Sequence, residues 1–125
     1  MRIDRASESL RASQLCLDEE LVNSAASRAY YAMLQAAQVA LELAGVARRQ
    51  WSHAAVQAAF TSELIHRRKI YPTTLRRDLP DGYGARRAAD YNELGVSRTV
   101  AHRIVRRAAV FVSTVQEATR HGRKA

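Results

Sequence analysis

Between residues 20 and 44 the chain is apolar on two helical faces at once, and few folds can accommodate such a segment. Ala26, Tyr30, Met33, Ala37, Ala40 and Ala44 recur at alternating steps of four and three, the spacing of one helical face. A second row, Val22, Ala25, Ala29, Ala32, Ala36 and Val39, is equally small and apolar. A helix apolar on two sides is buried on two sides. The segment therefore predicts a central helix, covered by its own chain or shared with a second subunit. Gly45 stands where a left-handed residue closes a helix. With 5 Gly and 2 Pro among 125 residues there is little material for a turn-rich β-fold, and no alternating pattern of any length occurs.

The flanking segments read as helices too. Residues 3 to about 19 place Ile3, Leu10, Leu15 and Leu17 among polar groups. Ser52 is the N-cap of a third helix running to about Ile65, with Trp51 and Val56 spaced as a hydrophobic staple. The quartet His66-Arg67-Arg68-Lys69 follows, where basic groups also suit the helix dipole. Pro72 permits a new helix with Leu75 and Leu79 inside, and Pro80-Asp81-Gly82-Tyr83-Gly84 is expected to break or kink it. Arg86 to Leu94 resumes as helix and stops at Gly95. Ser97 caps a last helix whose Ala101, Ile104, Ala108, Phe111, Val115 and Ala118 form one stripe. The prediction is an all-α, up-and-down bundle of four to five helices. Residues 1–120 form a single domain and residues 121–125 a frayed basic tail.

No apolar run approaches the ~20 residues needed to cross a bilayer, and Met1-Arg2-Ile3-Asp4-Arg5 has no apolar stretch behind it to make a secretory signal. A single Cys16 allows no internal disulfide, so a cytoplasmic location is expected. Charge gives the first positive indication. Lys and Arg number 20 against 12 Asp and Glu, a net +8. Residues 1–45 are net −2 and residues 88–97 net −2, whereas residues 46–87 and 98–125 are each +6. Positive charge gathered into two segments outlines a polyanion binder, although Arg is also an ordinary surface residue.

The four His have no second ligand at helical spacing, and no Gly-rich phosphate loop or His-Glu-x-x-His occurs, so neither metal nor cofactor is expected. Cys16 lies on a Leu-flanked helix face, where a buried thiol is the usual outcome. Arg and His remain. In Arg48-Arg49-Gln50-Trp51-Ser52-His53, His53 would take the first helical position, where the N-terminal partial charge disfavours its protonation. A neutral imidazole can take the proton of a ribose 2′-hydroxyl, and Arg48 or Arg49 can neutralise the charge accumulating on a phosphate. On spacing alone, a packed His53 beside Trp51 is the commoner outcome.

A more specific pattern begins at Ser27-Arg28-Ala29-Tyr30-Tyr31-Ala32-Met33 and continues to Leu41, with Gly45, His53 and Phe60 behind it. Together with Arg87-Ala88-Ala89-Asp90-Tyr91 and the Ala108 to Phe111 stretch, it resembles the HEPN domain superfamily over about residues 7–118. The nearest branch is the small prokaryotic HEPN proteins often encoded beside minimal nucleotidyltransferases. The resemblance implies a helical bundle that forms a homodimer around one composite cleft. It also implies metal-independent endoribonuclease activity, as in toxins of toxin–antitoxin pairs. The signature of that activity is an Arg, four to six residues, then a His. Here Arg86 is followed at that spacing by Tyr91 and Arg87 by Asn92, while Arg98 and His102 stand one residue too close. The literal match, Arg48 to His53, lies earlier than the family's motif does. Tyr91 can hydrogen-bond a phosphate, but a phenol is a poor base near neutral pH.

These features nominate His53, Arg48, Arg87 and Tyr91 as catalytic groups, and Arg49, Arg67, Arg68, Arg86, Arg106 and Arg107 as RNA contacts. Arg87, Asp90 and Tyr91 have a structural alternative, an ion pair and packed ring holding their helix to the central one. Three functions stay open. The chain is a ribonuclease toxin with a nucleotidyltransferase antitoxin, a non-catalytic module that partners a nucleotidyltransferase or binds a nucleotide or RNA, or a dimeric adaptor for an acidic protein.

Overall fold

The computed structural model describes residues 3–46 and 48–121. Five α-helices follow one another: α1 (Ile3–Asp18), α2 (Val22–Leu43), α3 (His53–Ala59), α4 (Asp78–Tyr91) and α5 (Arg98–His121). Between α3 and α4 lie a π-helical segment, Phe60–Arg67, and a 3₁₀ turn, Thr73–Arg77. No strand occurs among the described residues. The fold is the all-helical bundle that the two long apolar stripes require. Of the basic tail, residues 122–125 lie outside the described residues.

α2 is the axis of the molecule and packs against α1, α3, α4 and α5. Both predicted rows are interior: Ala25, Ala26, Ala29, Tyr30, Ala32, Met33, Ala36 and Ala37 have no exposed surface. Small side chains let the neighbouring helices approach closely on every side. The apolar faces of α2 are thus covered within one subunit, so they supply no argument for a shared interface. Gly45, at φ +80°, closes α2 as its position implied.

On α1 the expected inner face is partly wrong. Ile3, Ala6 and Ser13 are buried, Leu10 and Leu17 are half-buried, and Leu15 is exposed. Ser13 can occupy the interior because its hydroxyl donates to the Leu10 carbonyl at 2.7 Å, leaving no unsatisfied donor. α1 is tied to its neighbours by Ser9 Oγ donating to Gln35 Oε1 (2.8 Å) and Gln116 Nε2 donating to Ser7 Oγ (2.6 Å).

Ser52 caps α3, accepting from the Ala55 amide at 3.0 Å. The third helix does not run on as an α-helix to Ile65, because the backbone widens into the π segment at Phe60. Phe60, Leu64 and Ile65 nevertheless face the core, and the Phe60 ring packs 5.0 Å from Phe111 of α5.

The expected break at Pro80–Gly84 does not occur. Asp78 to Tyr91 is one helix, and Pro80 is its third residue, in the first turn where an amide has no intrahelical acceptor to lose. Gly82 serves packing instead: a Cβ there would come 2.5 Å from Met33 Cε and 3.3 Å from Tyr30 Cδ1. α4 ends at Tyr91, short of the predicted Leu94. Gly95, at φ +70°, then turns the chain against Asn23 of α2, whose Oδ1 accepts from the Val96 amide at 2.9 Å.

Candidate active site

α2, α3 and α4 meet around one group of rings and cations. On α4, Tyr83, Arg86, Arg87, Asp90 and Tyr91 fall at helical neighbour spacings, so their side chains share one side of that helix. α2 contributes the adjacent Tyr30 and Tyr31, and α3 contributes its first residue, His53. The imidazole lies edge-on to three phenol rings, with centroids 5.6 Å from Tyr30, 6.1 Å from Tyr31 and 6.3 Å from Tyr83. Tyr30 is fully buried and its hydroxyl accepts from Gln57 Nε2 at 3.4 Å.

The two α4 arginines lie over these rings. The Arg86 guanidinium is 5.5 Å from the Tyr31 centroid and 5.8 Å from that of Tyr91. That of Arg87 is 5.9 Å from Tyr83 and 5.6 Å from Tyr91, and its Nη1 donates to the Tyr83 hydroxyl at 3.3 Å. Cation–π contact of this kind orders a guanidinium without cancelling its charge. Arg86 also stands 3.1 Å from Asp90 through its Nε, but the alignment is not that of a hydrogen bond, and this buried donor has no acceptor. Proximity without alignment leaves most of the donor's capacity unused.

Burial, and then the nearby positive charge of Arg86, hold the His53 pKa below its ordinary 6.5. The imidazole is therefore neutral at pH 7 and can accept a proton. The cation that lies close enough to affect His53 is Arg86, 33 residues later in the chain, rather than Arg48. Arg48 stacks on Trp51, 5.2 Å from the ring centroid. Among the nominated catalytic groups, Arg87 stacks on Tyr91 beside Arg86, and His53 is linked to them through the rings of Tyr31 and Tyr83.

The other nominated RNA contacts lie elsewhere. Arg49 and Arg106 are exposed. Arg67 pairs with Glu63 at 2.6 Å, while Arg68 donates to the Ala44 carbonyl at 2.6 Å and so ties the π segment to the end of α2. Arg107 is held by the start of α4, with Nη2 2.8 Å from Asp78 Oδ1 and Nη1 3.1 Å from Asp81 Oδ2. Its nomination rested on lying off the apolar stripe of α5. The structure gives that position a carboxylate partner that is itself buried, and the pair ties α5 to the start of α4.

Sequence reasoning did not nominate Tyr30, Tyr31, Gln57 or Tyr83. The paired tyrosines stood within the Ser27–Met33 motif, and Tyr83 was hidden by the expected helix break. Among the described residues no three His, Cys, Asp or Glu side chains are grouped to hold a metal ion. No helix of those residues is long and apolar enough to cross a membrane. Beside the cluster, the first turns of α2 and the end of α4 enclose an open groove of about 660 Å³, lined by Asn23, Ser24, Ser27, Arg28, Tyr31 and Asp90.

Comparison with protein-family models matches the HEPN domain to residues 1–118. No curated protein matches the chain.

Proposed function

The chain belongs to the HEPN domain family, and from that premise we propose that it is the RNA-cleaving component of a toxin–antitoxin pair, acting on RNA without a metal ion. The single observation that carries this reading is the His53 imidazole set edge-on in a group of tyrosine rings on which Arg86 and Arg87 are stacked, with burial and Arg86 holding its pKa below 6.5. His53 takes the proton from a ribose 2′-hydroxyl. The 2′-oxygen then bonds to phosphorus as the bond to the 5′-oxygen breaks, leaving a 2′,3′-cyclic phosphate and a 5′-hydroxyl that receives a proton from solvent. Arg86 and Arg87 offset the negative charge that grows on the phosphate oxygens. Tyr91, two-thirds exposed beneath both arginines, orients the phosphate through its hydroxyl. A homodimer would join two such clusters in one cleft, and a nucleotidyltransferase is the partner expected to neutralise the toxin.

The test is incubation of the purified chain with single-stranded RNA in EDTA. Cleavage to cyclic-phosphate ends is expected, and His53→Ala should slow it about 10²–10⁴-fold. Intact RNA, bound but never cut, would overturn the nuclease reading. That outcome favours a second reading, a non-catalytic HEPN module that binds RNA or a nucleotidyltransferase. Its supporting observation is that α4 presents Tyr91 where the family's signature after Arg86 would have a His. Growth arrest on expression, relieved by His53→Ala, separates the two in cells.

A further inference from the structure

The groove beside the cluster adjoins the residues proposed to hold phosphate. Its walls share two residues with the cluster. Tyr31 meets His53 through its ring, and Asp90 stands against Arg86. An RNA strand whose phosphate rests on Arg86 therefore passes close to this groove.

The lining has the functional groups of a nucleoside site. Tyr31 offers an aromatic ring. Ser24 and Ser27, one turn apart on α2, offer hydroxyls to a ribose, and Arg28 adds an exposed cation for the next phosphate. Asn23 is fixed by its bond from the Val96 amide, which engages its oxygen and leaves the amide nitrogen as a donor. Among the described residues of the lining Asp90 is the only carboxylate, and a carboxylate accepts but cannot donate. It suits the exocyclic amino group of adenine, cytosine or guanine and repels the O4 carbonyl of uracil.

We infer that this groove is a subsite for an unpaired, amino-bearing nucleobase, with Asp90 as its acceptor. In duplex RNA the amino groups of adenine and cytosine lie in a deep, narrow major groove that side chains cannot read, so the contact favours an unpaired base. The inference rests on the RNA reading above, but a free nucleotide carries the same chemistry, and the test separates the two sources.

The experiment measures binding of fluorescent single-stranded oligo(A), oligo(C) and oligo(U), and of AMP, CMP and UMP, to the full chain. Oligo(A) and oligo(C) should bind about fivefold or more tightly than oligo(U). Asp90→Asn should shrink that ratio below about twofold, since a carboxamide can donate to O4 as well as accept. Ser27→Trp, which fills the groove from α2, should weaken all three oligomers. Equal binding of the three by the unaltered chain overturns the inference, as does a ratio unmoved by Asp90→Asn or full affinity in Ser27→Trp. Those results leave the RNA reading standing if RNA is still bound or cut. Asp90-dependent binding of AMP and CMP by a chain that binds no RNA retains the groove and removes the RNA reading. Binding of neither removes both.

Discussion

The two ends of α4 hold arginines by different means. At the start of the helix, Arg107 reaches across from α5 to Asp78 and Asp81, and Asp78 is buried. At the far end, Arg86 and Arg87 rest chiefly on tyrosine faces, with Asp90 beside Arg86 alone. Carboxylates cancel a guanidinium's charge as they fix its position, whereas rings fix it and leave the charge available. The first end is a fastener between helices. The second is where the proposed RNA contact lies. Counting arginines along the sequence cannot tell one from the other, because the difference lies in their partners.

The contrast can be broken at several points. The largest effect is expected from Asp78→Ala, which strips Arg107 of its buried partner. Chemical denaturation should show a loss of about 3 kcal/mol, with RNA affinity unchanged; a parallel loss of RNA binding would mean that both ends serve the ligand. Next is Gly82→Val, which drives side-chain atoms into Met33 and Tyr30 between the two ends. A loss of about 2 kcal/mol is expected in the same measurement. Arg87→Ala should do the reverse of Asp78→Ala. RNA binding should weaken about fivefold and its salt slope should fall by about one, while the unfolding midpoint stays put. The smallest effect concerns pH. Because the folded His53 pKa lies below 6.5, the unfolded chain takes up the proton more readily. Stability should therefore rise with pH through the range just below 6.5 and level off above it. Thermal midpoints between pH 5 and 7 should show a shallower slope in His53→Gln than in the unaltered chain.

Much of the fold was legible because α2 and α5 bury regular stripes of small and medium apolar residues, and periodicity reports burial directly. α1 was read less well, since Leu15 fits the pattern but faces solvent and Ser13 is buried with its hydroxyl bonded to its own helix. Pro80 and Gly82 were read as breakers by residue type. Their position decides the matter: one sits in a first turn and the other under Met33. The site was half legible. His53 could be singled out locally, but its lowered pKa comes from burial and Arg86 rather than from the helix start, and Arg87 and Tyr91 came from a recognisable motif. The meeting of His53 with Arg86 is a tertiary fact that no local spacing encodes. Arg48, at the right distance along the chain, turns to Trp51 instead.

Tyr30 and Tyr31 are anchored in a helix whose other buried positions are mostly alanine. Alanine has no rotamers to exchange, so α2 offers the bundle almost no way to repack around a displaced ring. The tyrosines that border His53 and Arg86 are in effect bolted to the spine of the protein. An incoming strand would have to conform to this rigid template, and little of its binding energy would go into reshaping the receptor.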